Sequence, residues 1–478
     1  MKKTKIVCTM GPNTNDKNLM KELALNGMDI ARFNFSHGDY EEHTARFNLL
    51  KEVREETGIA IGALLDTKGP EIRTGLLKDG QKVSLVTNQK YVLTINECIG
   101  DENKGFINYA GLVEDVKEGD KILIDDGLIE LKVESVSGAD INCVVINGGE
   151  LGEKKGINVP GVKIKLPALT DKDKEDIRFG IKTSFDFIAA SFVRNAQCIK
   201  EIKDILKEAG SRIQVIAKIE NAEGIENIDS IIAEADGIMV ARGDMGVEIP
   251  VEQVPYIQKM IIKKCNDACK PVITATQMLD SMIRNPRPTR AEVTDITNAI
   301  YEGTDAIMLS GETAMGKYPL EALKTMARVA IEAERHIDYT IYRNKKITGM
   351  NPKNISNQVS LAAVTTAEAI EADAIVTPTI SGFTARMLSK WRPSVVVYSL
   401  SPSIHTIRQM QLLWGVIPVK ADRSPSTDDL ILSSLNKLKE KGYLLGGEKA
   451  VVTAGIIPGQ TSEQKATHTN VMKVVTVN

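Results

Sequence analysis

Apolar residues in this chain come in short, nearly continuous runs that end in polar clusters. Eight such runs open at Lys5 (KIVCTMG), Asp29 (DIARFNFS), Ile61 (IGALLDTK), Phe185 (FDFIAASF), Gln214 (QVIAKIEN), Gly237 (GIMVARGD), Pro271 (PVITATQ) and Ala306 (AIMLSGE). Runs this short, apolar and β-branched suit parallel strands covered on both faces. Between most of them lie patterns of helical period, such as NLMKELALNG, NIDSIIAEA and VPYIQKMIIKKCNDACK. Six of the seven intervals between successive runs span 23 to 35 residues, the length of one β-α unit. Eight units predict an α/β chain with a closed (β/α)8 TIM barrel.

The interval between the third and fourth runs exceeds 100 residues and is not helical. KVSLVTNQKYVLTI, DKILIDDGLIELKVESV and INCVVINGG alternate and carry turn pairs at Asp79-Gly80 and Asp126-Gly127, which predicts a small β domain over residues 70–165. It enters through Gly69-Pro70 and leaves through Val159-Pro160-Gly161, a pair of hinges suited to a lid. After Arg343 the stretch NKKITGMNPKN reads as a linker. From about Ser356 the pattern returns to α/β as a separate three-layer domain. Its helices read SLAAVTTAEAIEA, TARMLSKW and SPSTDDLILSSLNKLKEKG, and its strands DAIVTP, SVVVYSL, KAVVTAG and VMKVVTV.

Composition removes several classes of function. The 478 residues carry 60 Lys+Arg against 63 Asp+Glu, a formal charge of −3, which lacks the footprint of a nucleic-acid binder. No apolar run reaches the roughly 18 residues of a membrane helix. The apolar stretch of MKKTKIVCTMGPN stops too early for a signal peptide. Six Cys without a pairing pattern suit a reducing compartment, so a cytoplasmic location is expected.

In a barrel of this kind the chemistry gathers where the strands end. Arg32, Asn34 and Ser36 alternate in RFNFS and share one face, as do Lys218 with Glu220, Arg242 with Asp244, and Thr274 with Thr276; Asp66 and Lys68 close the third strand. Five strands thus aim charged or hydroxyl groups at one mouth. Glu220 and Asp244 offer hard oxygens for Mg²⁺ or Mn²⁺; an internal Lys218–Glu220 salt bridge is the alternative. Backbone N–H groups in Gly243-Asp244-Met245-Gly246 can hold a carboxylate or phosphate, although glycine as a plain turn residue explains them too. Arg32 and Lys218 are cations suited to a phosphorylated substrate. Asn34, Ser36, Asp66 and Thr67 offer oxygens with no second cation expected nearby, a set that could cage a monovalent ion.

Nine segments then appear in a telling order: KIVCTMGPNT, RFNFSHG, LLDTKGPEIRTG, KKGINVPG, IAKIEN, ARGDMGVEIP, ITATQMLDSM, NPRPTRAEVTDI and LSGETAMGKYP. On them the chain resembles the pyruvate kinase family from Lys3 to about Pro319 and, more loosely, to its C-terminus. The resemblance implies a catalytic (β/α)8 barrel (1–69 and 166–343), an inserted β-barrel lid (70–165) and a C-terminal three-layer α/β regulatory domain (344–478). It implies transfer of the phosphoryl group of phosphoenolpyruvate to ADP, giving pyruvate and ATP in glycolysis. By the same resemblance Arg32 and Lys218 bind the transferring group, and Gly243, Asp244 and Thr276 seat the substrate carboxylate. Glu220 and Asp244 hold Mg²⁺ or Mn²⁺, and Asn34, Ser36, Asp66 and Thr67 coordinate K⁺, with Glu71 matching the K⁺-dependent form. Asn34, His37, Arg73 and Lys155 face the nucleotide. Lys218, Arg32 and Thr276 are the expected catalytic residues, Thr276 with a water being one proton route to the enolate and Ser310 with Glu312 the other. The family's usual homotetramer is the expected assembly. A lyase acting on pyruvate enolate and a ligand sensor without turnover are the competing readings.

In the C-terminal region Thr377-Pro378-Thr379-Ile380-Ser381-Gly382-Phe383-Thr384 joins a strand to a helix with hydroxyls and a glycine. A Ser/Thr-capped helix start accounts for it. The resemblance implies an effector pocket there, with Thr379, Ser381, Gly382 and Thr384 facing a phosphosugar or nucleotide. The loop from Gly455 to His468 carries only Lys465 and His468 as cations, which argues against a bisphosphate.

Overall fold

The computed structural model describes residues 2–348, 350–422, 427–455 and 468–477. All eight apolar runs form strands: β1 (Lys5–Met10), β2 (Ile30–Asn34), β3 (Gly62–Asp66), β4 (Phe187–Ala190), β5 (Gln214–Ile219), β6 (Gly237–Ala241), β7 (Val272–Ala275) and β8 (Ala306–Leu309). They close into one barrel whose neighbours are all parallel, β8 pairing back onto β1. The continuous apolar runs follow from this geometry, because one strand face fills the barrel and the other meets the helices.

Strand parity then decides what the mouth contains. Val7, Ile30, Leu64, Ile216, Met239, Ile273 and Ala306 pack together as one buried cluster, the barrel interior. Two residues further along the same faces stand Thr9, Arg32, Asp66 and Lys218, with Ser191 two positions beyond the inward Ala189. On β6 and β7 the same layer holds Ala241 and Ala275. Charge therefore collects on β2, β3 and β5, while β6 and β7 contribute only alanine and β8 the apolar Met308. At the foot of the barrel, Leu412 of the C-terminal region joins the interior cluster.

The long insertion forms a seven-stranded sheet in the order Ile72–Arg73, Gly156–Asn158, Lys121–Ile124, Ile129–Ser137, Asp140–Asn147, Lys90–Thr94 and Lys104–Phe106. A two-stranded ribbon, Val83–Leu85 with Gly149–Leu151, accompanies it, and the insertion has its own apolar core. The chain leaves the barrel at Gly69, φ +74. A Cβ there would stand 2.9 Å from Ser191 and Phe192, so glycine is required both by conformation and by space.

The C-terminal sheet runs Val416–Lys420, Val396–Ser401, Ala374–Pro378, Lys449–Ala454 and Val471–Thr476, parallel except for the last pair. Two of its elements differ from expectation, the strand Val416–Lys420 and the helix Ile404–Met410. Pro418 speaks against a strand in sequence, but this one lies at the sheet edge, where a missing N–H does no harm. The helix Tyr339–Ile347 runs past Arg343, so the stretch expected as a linker begins as helix. Arg392 Nη1 ties this unit to the barrel foot through Asp305 Oδ1 at 2.7 Å. Among the described residues no helix is long and apolar enough to cross a membrane.

Candidate active site

Five strand ends meet in one buried polar network at the barrel mouth. Arg32 Nε donates to Asp66 Oδ2 at 2.6 Å and Arg32 Nη1 to Thr9 Oγ1 at 2.9 Å. Lys218 Nζ lies 3.0 Å from Asp66 Oδ1 and 2.9 Å from Glu220 Oε1, and donates to Ser191 Oγ at 2.6 Å. The Phe192 N–H closes the other side of Glu220, reaching Oε2 at 2.6 Å. Thr9, Ser191 and the Phe192 amide were not singled out in the sequence, although Ser191 ends its strand as a catalytic residue of this fold would. The internal Lys218–Glu220 salt bridge weighed from sequence is present.

The electrostatics favour charge on Lys218. Burial works against the Lys218 ammonium, but Asp66 and Glu220 outweigh it and hold its pKa above the ordinary lysine value. Burial likewise opposes the Asp66 charge, and Arg32 and Lys218 overcome it, so that carboxyl sits below its usual range. Glu220 goes the other way: burial pushes it up to about 7 against the pull of Lys218, with the like charge of Asp244 adding to the rise. A buried and a half-buried carboxylate that repel one another make a donor pair whose tension a divalent cation relieves. Among the described residues no group of three or more His, Cys, Asp or Glu gathers in metal-holding geometry, so the pair would leave most ligand positions to substrate and water.

One expectation about the monovalent cage needs correction. The sequence offers Asp66 no second cation nearby, yet Arg32 and Lys218 bracket its two oxygens. Asn34 pairs in register with Asp66, and Asn34 Oδ1 accepts the Ser36 N–H at 3.1 Å. Thr67 Oγ1 accepts the Ser191 N–H at 3.2 Å. The four oxygens sit on adjacent ends of β2 and β3, with Asp66 shared between them and the ion network.

Two further parity readings also change. Strand β6 ends at Ala241 and a helix starts at Arg242 (Arg242–Glu248), so Arg242 and Asp244 do not continue the strand alternation. The Arg242 guanidinium turns away to Asp295, Ala275 O and Thr276 O. Thr274 faces outward and shares a hydrogen bond with Thr304 at 2.9 Å, whereas Thr276 leaves the strand at φ +67. Its Oγ1 accepts the Gly243 N–H at 2.7 Å and donates to Ala275 O at 2.7 Å. The amide expected to seat a carboxylate is thus taken up by the Thr276 hydroxyl oxygen, and the hydroxyl hydrogen by Ala275 O.

A cleft of about 380 Å³ runs from this mouth beneath the insertion, lined among others by Glu71, Arg73, Asp126, Lys155, Asp244 and Glu248. Arg73 Nε donates to Glu71 Oε2 at 2.6 Å, and Lys155 Nζ to Asp125 Oδ1 at 3.0 Å. Asn158 of the insertion donates to Glu248 Oε1 at 2.7 Å across the cleft. His37 is exposed, and its carbonyl accepts from His43 Nε2 at 3.0 Å. Glu312 takes the Ser310 and Leu279 N–H groups at 2.7 and 3.1 Å.

In the C-terminal unit Gly382 has φ +77, and its N–H donates to Thr379 Oγ1 at 3.1 Å. Ser381 is exposed, but Thr384 is buried with its hydroxyl against Thr469 Oγ1 at 3.0 Å. Lys465 lies outside the described residues.

Comparison with known proteins adds two family models: "Pyruvate kinase, barrel domain" matches residues 1–323, and "Pyruvate kinase, alpha/beta domain" matches residues 357–475. A pyruvate kinase of Clostridium acetobutylicum is 49% identical over 479 residues, covering 100% of both chains. One from Staphylococcus aureus is 48% identical over 99% of this chain and 80% of its own length. The crystal structure of a pyruvate kinase from Cryptosporidium parvum superimposes with a TM-score of 0.94 at 38% identity, over 100% of this chain and 96% of that one.

Proposed function

The chain belongs to the pyruvate kinase family, and on that premise we propose how its residues divide the work of moving a phosphoryl group from phosphoenolpyruvate to ADP. The activity is that of a phosphotransferase forming pyruvate and ATP. The observation that carries the assignment of roles is the buried Lys218 ammonium held between Asp66 and Glu220.

Attack of the terminal ADP oxygen on an anionic phosphoryl group is slowed by repulsion, so cations and in-line positioning are the main levers. Arg32 and Lys218 meet the transferring group, Arg32 as a planar fork and Lys218 as a point charge. Because Asp66 and Glu220 hold its proton tightly, Lys218 stabilises the enolate by its charge and is a poor proton donor to it. Thr276, with the Gly243 and Asp244 amides, seats the carboxylate when substrate separates the Gly243–Thr276 hydrogen bond. Thr276 with a water is the proton route we favour, since both oxygens of Glu312 are engaged by backbone N–H groups.

Glu220 and Asp244 would hold a divalent cation, Mg²⁺ or Mn²⁺, which would supply positive charge to the substrate oxygens. Asn34, Ser36, Asp66 and Thr67 would be the K⁺ donors, with Glu71 as the carboxylate that goes with the K⁺-dependent form. Arg73, Lys155, His37 and Asn34 face the nucleotide, and the insertion acts as a lid that excludes water. Thr379, Ser381 and Gly382 offer a phosphosugar or nucleotide effector its polar contacts; the inward Thr384 hydroxyl weakens its share. We adopt 1–69 with 166–343, 70–165 and 344–478 as the three units, a cytoplasmic location and a homotetramer. Pyruvate formation, followed with Mg²⁺ and K⁺ omitted in turn, tests the ion assignments: a full rate without either ion overturns the one concerned.

A further inference from the structure

We propose that Arg242 is a positioning residue of the reaction: it holds the end of β7 in the conformation that presents Thr276 to the substrate carboxylate. This rests on reading Gly243 and Thr276 as the carboxylate seat. Two consecutive residues after β7, Thr276 at φ +67 and Gln277 at φ +53, are left-handed although neither is glycine. A β-branched residue there is a genuine outlier, and such a conformation persists only where its surroundings impose it.

The grip that imposes it comes from Arg242. Its Nε donates to Ala275 O at 3.1 Å and its Nη2 to Thr276 O at 2.6 Å, the carbonyls on either side of Thr276. Nη1 is anchored by Asp295 Oδ1 at 2.7 Å. Asp295 stands on the helix Arg290–Glu302, whose start is fixed by the reciprocal hydrogen bonds of Thr289 and Glu292. The main chain of the same segment completes the loop, since the next residue, Gly243, donates its N–H to Thr276 Oγ1. One side chain therefore ties the ends of β6 and β7 together around the seat without entering it. Only a planar fork spans two carbonyls and a carboxylate; a lysine ammonium has no such geometry.

The test is steady-state kinetics on folded, full-length Arg242→Gln, Arg242→Lys and Asp295→Asn, with Thr276→Ala as reference. Arg242→Gln is expected to lower kcat/KM for phosphoenolpyruvate about 100-fold, the scale of a misplacement near 1 Å. The KM for ADP stays within about 2-fold, because the nucleotide side is untouched. Arg242→Lys recovers only part of the loss, and Asp295→Asn, which frees the anchor alone, gives a smaller change of the same kind. A folded Arg242→Gln with wild-type kcat/KM for phosphoenolpyruvate, or with a KM for ADP raised as much as that for phosphoenolpyruvate, overturns the proposal. An unaffected Thr276→Ala instead removes the seat itself.

Discussion

Lys218 Nζ lies 2.9 Å from Glu220 Oε1, two opposite charges on one strand face at the floor of the mouth. Lys218 is thus the resident counter-charge of the carboxylate proposed to hold a divalent ion, and it is shared with Asp66. Glu220→Gln keeps an oxygen for the Phe192 N–H, so the fold is expected to survive. The Kd for Mn²⁺, measured by electron paramagnetic resonance, should rise at least about 10-fold, or about 1.4 kcal/mol. Unchanged Mn²⁺ binding removes Glu220 from the ion.

Glu71 accepts from Arg73 at 2.6 Å in the cleft beneath the insertion, and it is the carboxylate proposed to accompany the K⁺ donors. Replacing it by lysine would put a permanent monovalent charge into that cleft. Glu71→Lys is expected to narrow the ratio of rates with and without K⁺, read by titrating KCl at constant ionic strength. An unchanged ratio discredits the cage.

His43 reports on the loop that follows β2. Its ring stacks on Phe35 with centroids 4.0 Å apart, its Nε2 donates to His37 O, and its buried Nδ1 has no partner. Burial holds its pKa down to about 4. The unfolded chain takes up that proton near pH 6.5, so the contribution to stability is complete above pH 6.5 and drains away as pH falls toward 4. Urea unfolding should show a stability loss from pH 7 to pH 5 that is about 1 to 2 kcal/mol smaller in His43→Gln than in wild type. Parallel slopes would mean that His43 already titrates normally.

The barrel was legible because both faces of its strands are buried, which leaves uninterrupted apolar runs. The same parity marked Arg32, Asp66, Lys218 and Glu220, which the structure brings together. Parity failed where strand geometry stops: Arg242 opens a helix and Thr276 turns left-handed, and neither change leaves a periodic trace. Ser191 was hidden beside Ala189 and Ala190, since a single serine after small residues looks like packing. Pro418 concealed an edge strand because its placement in the sheet is a tertiary fact.

The account stands most directly on Lys218→Met, which removes the charge and keeps the length of the side chain. In a folded variant kcat for pyruvate formation is expected to fall at least about 10²- to 10³-fold, with KM for phosphoenolpyruvate within a few-fold of wild type. A near-normal kcat would contradict the central claim that this buried ammonium carries the phosphoryl transfer.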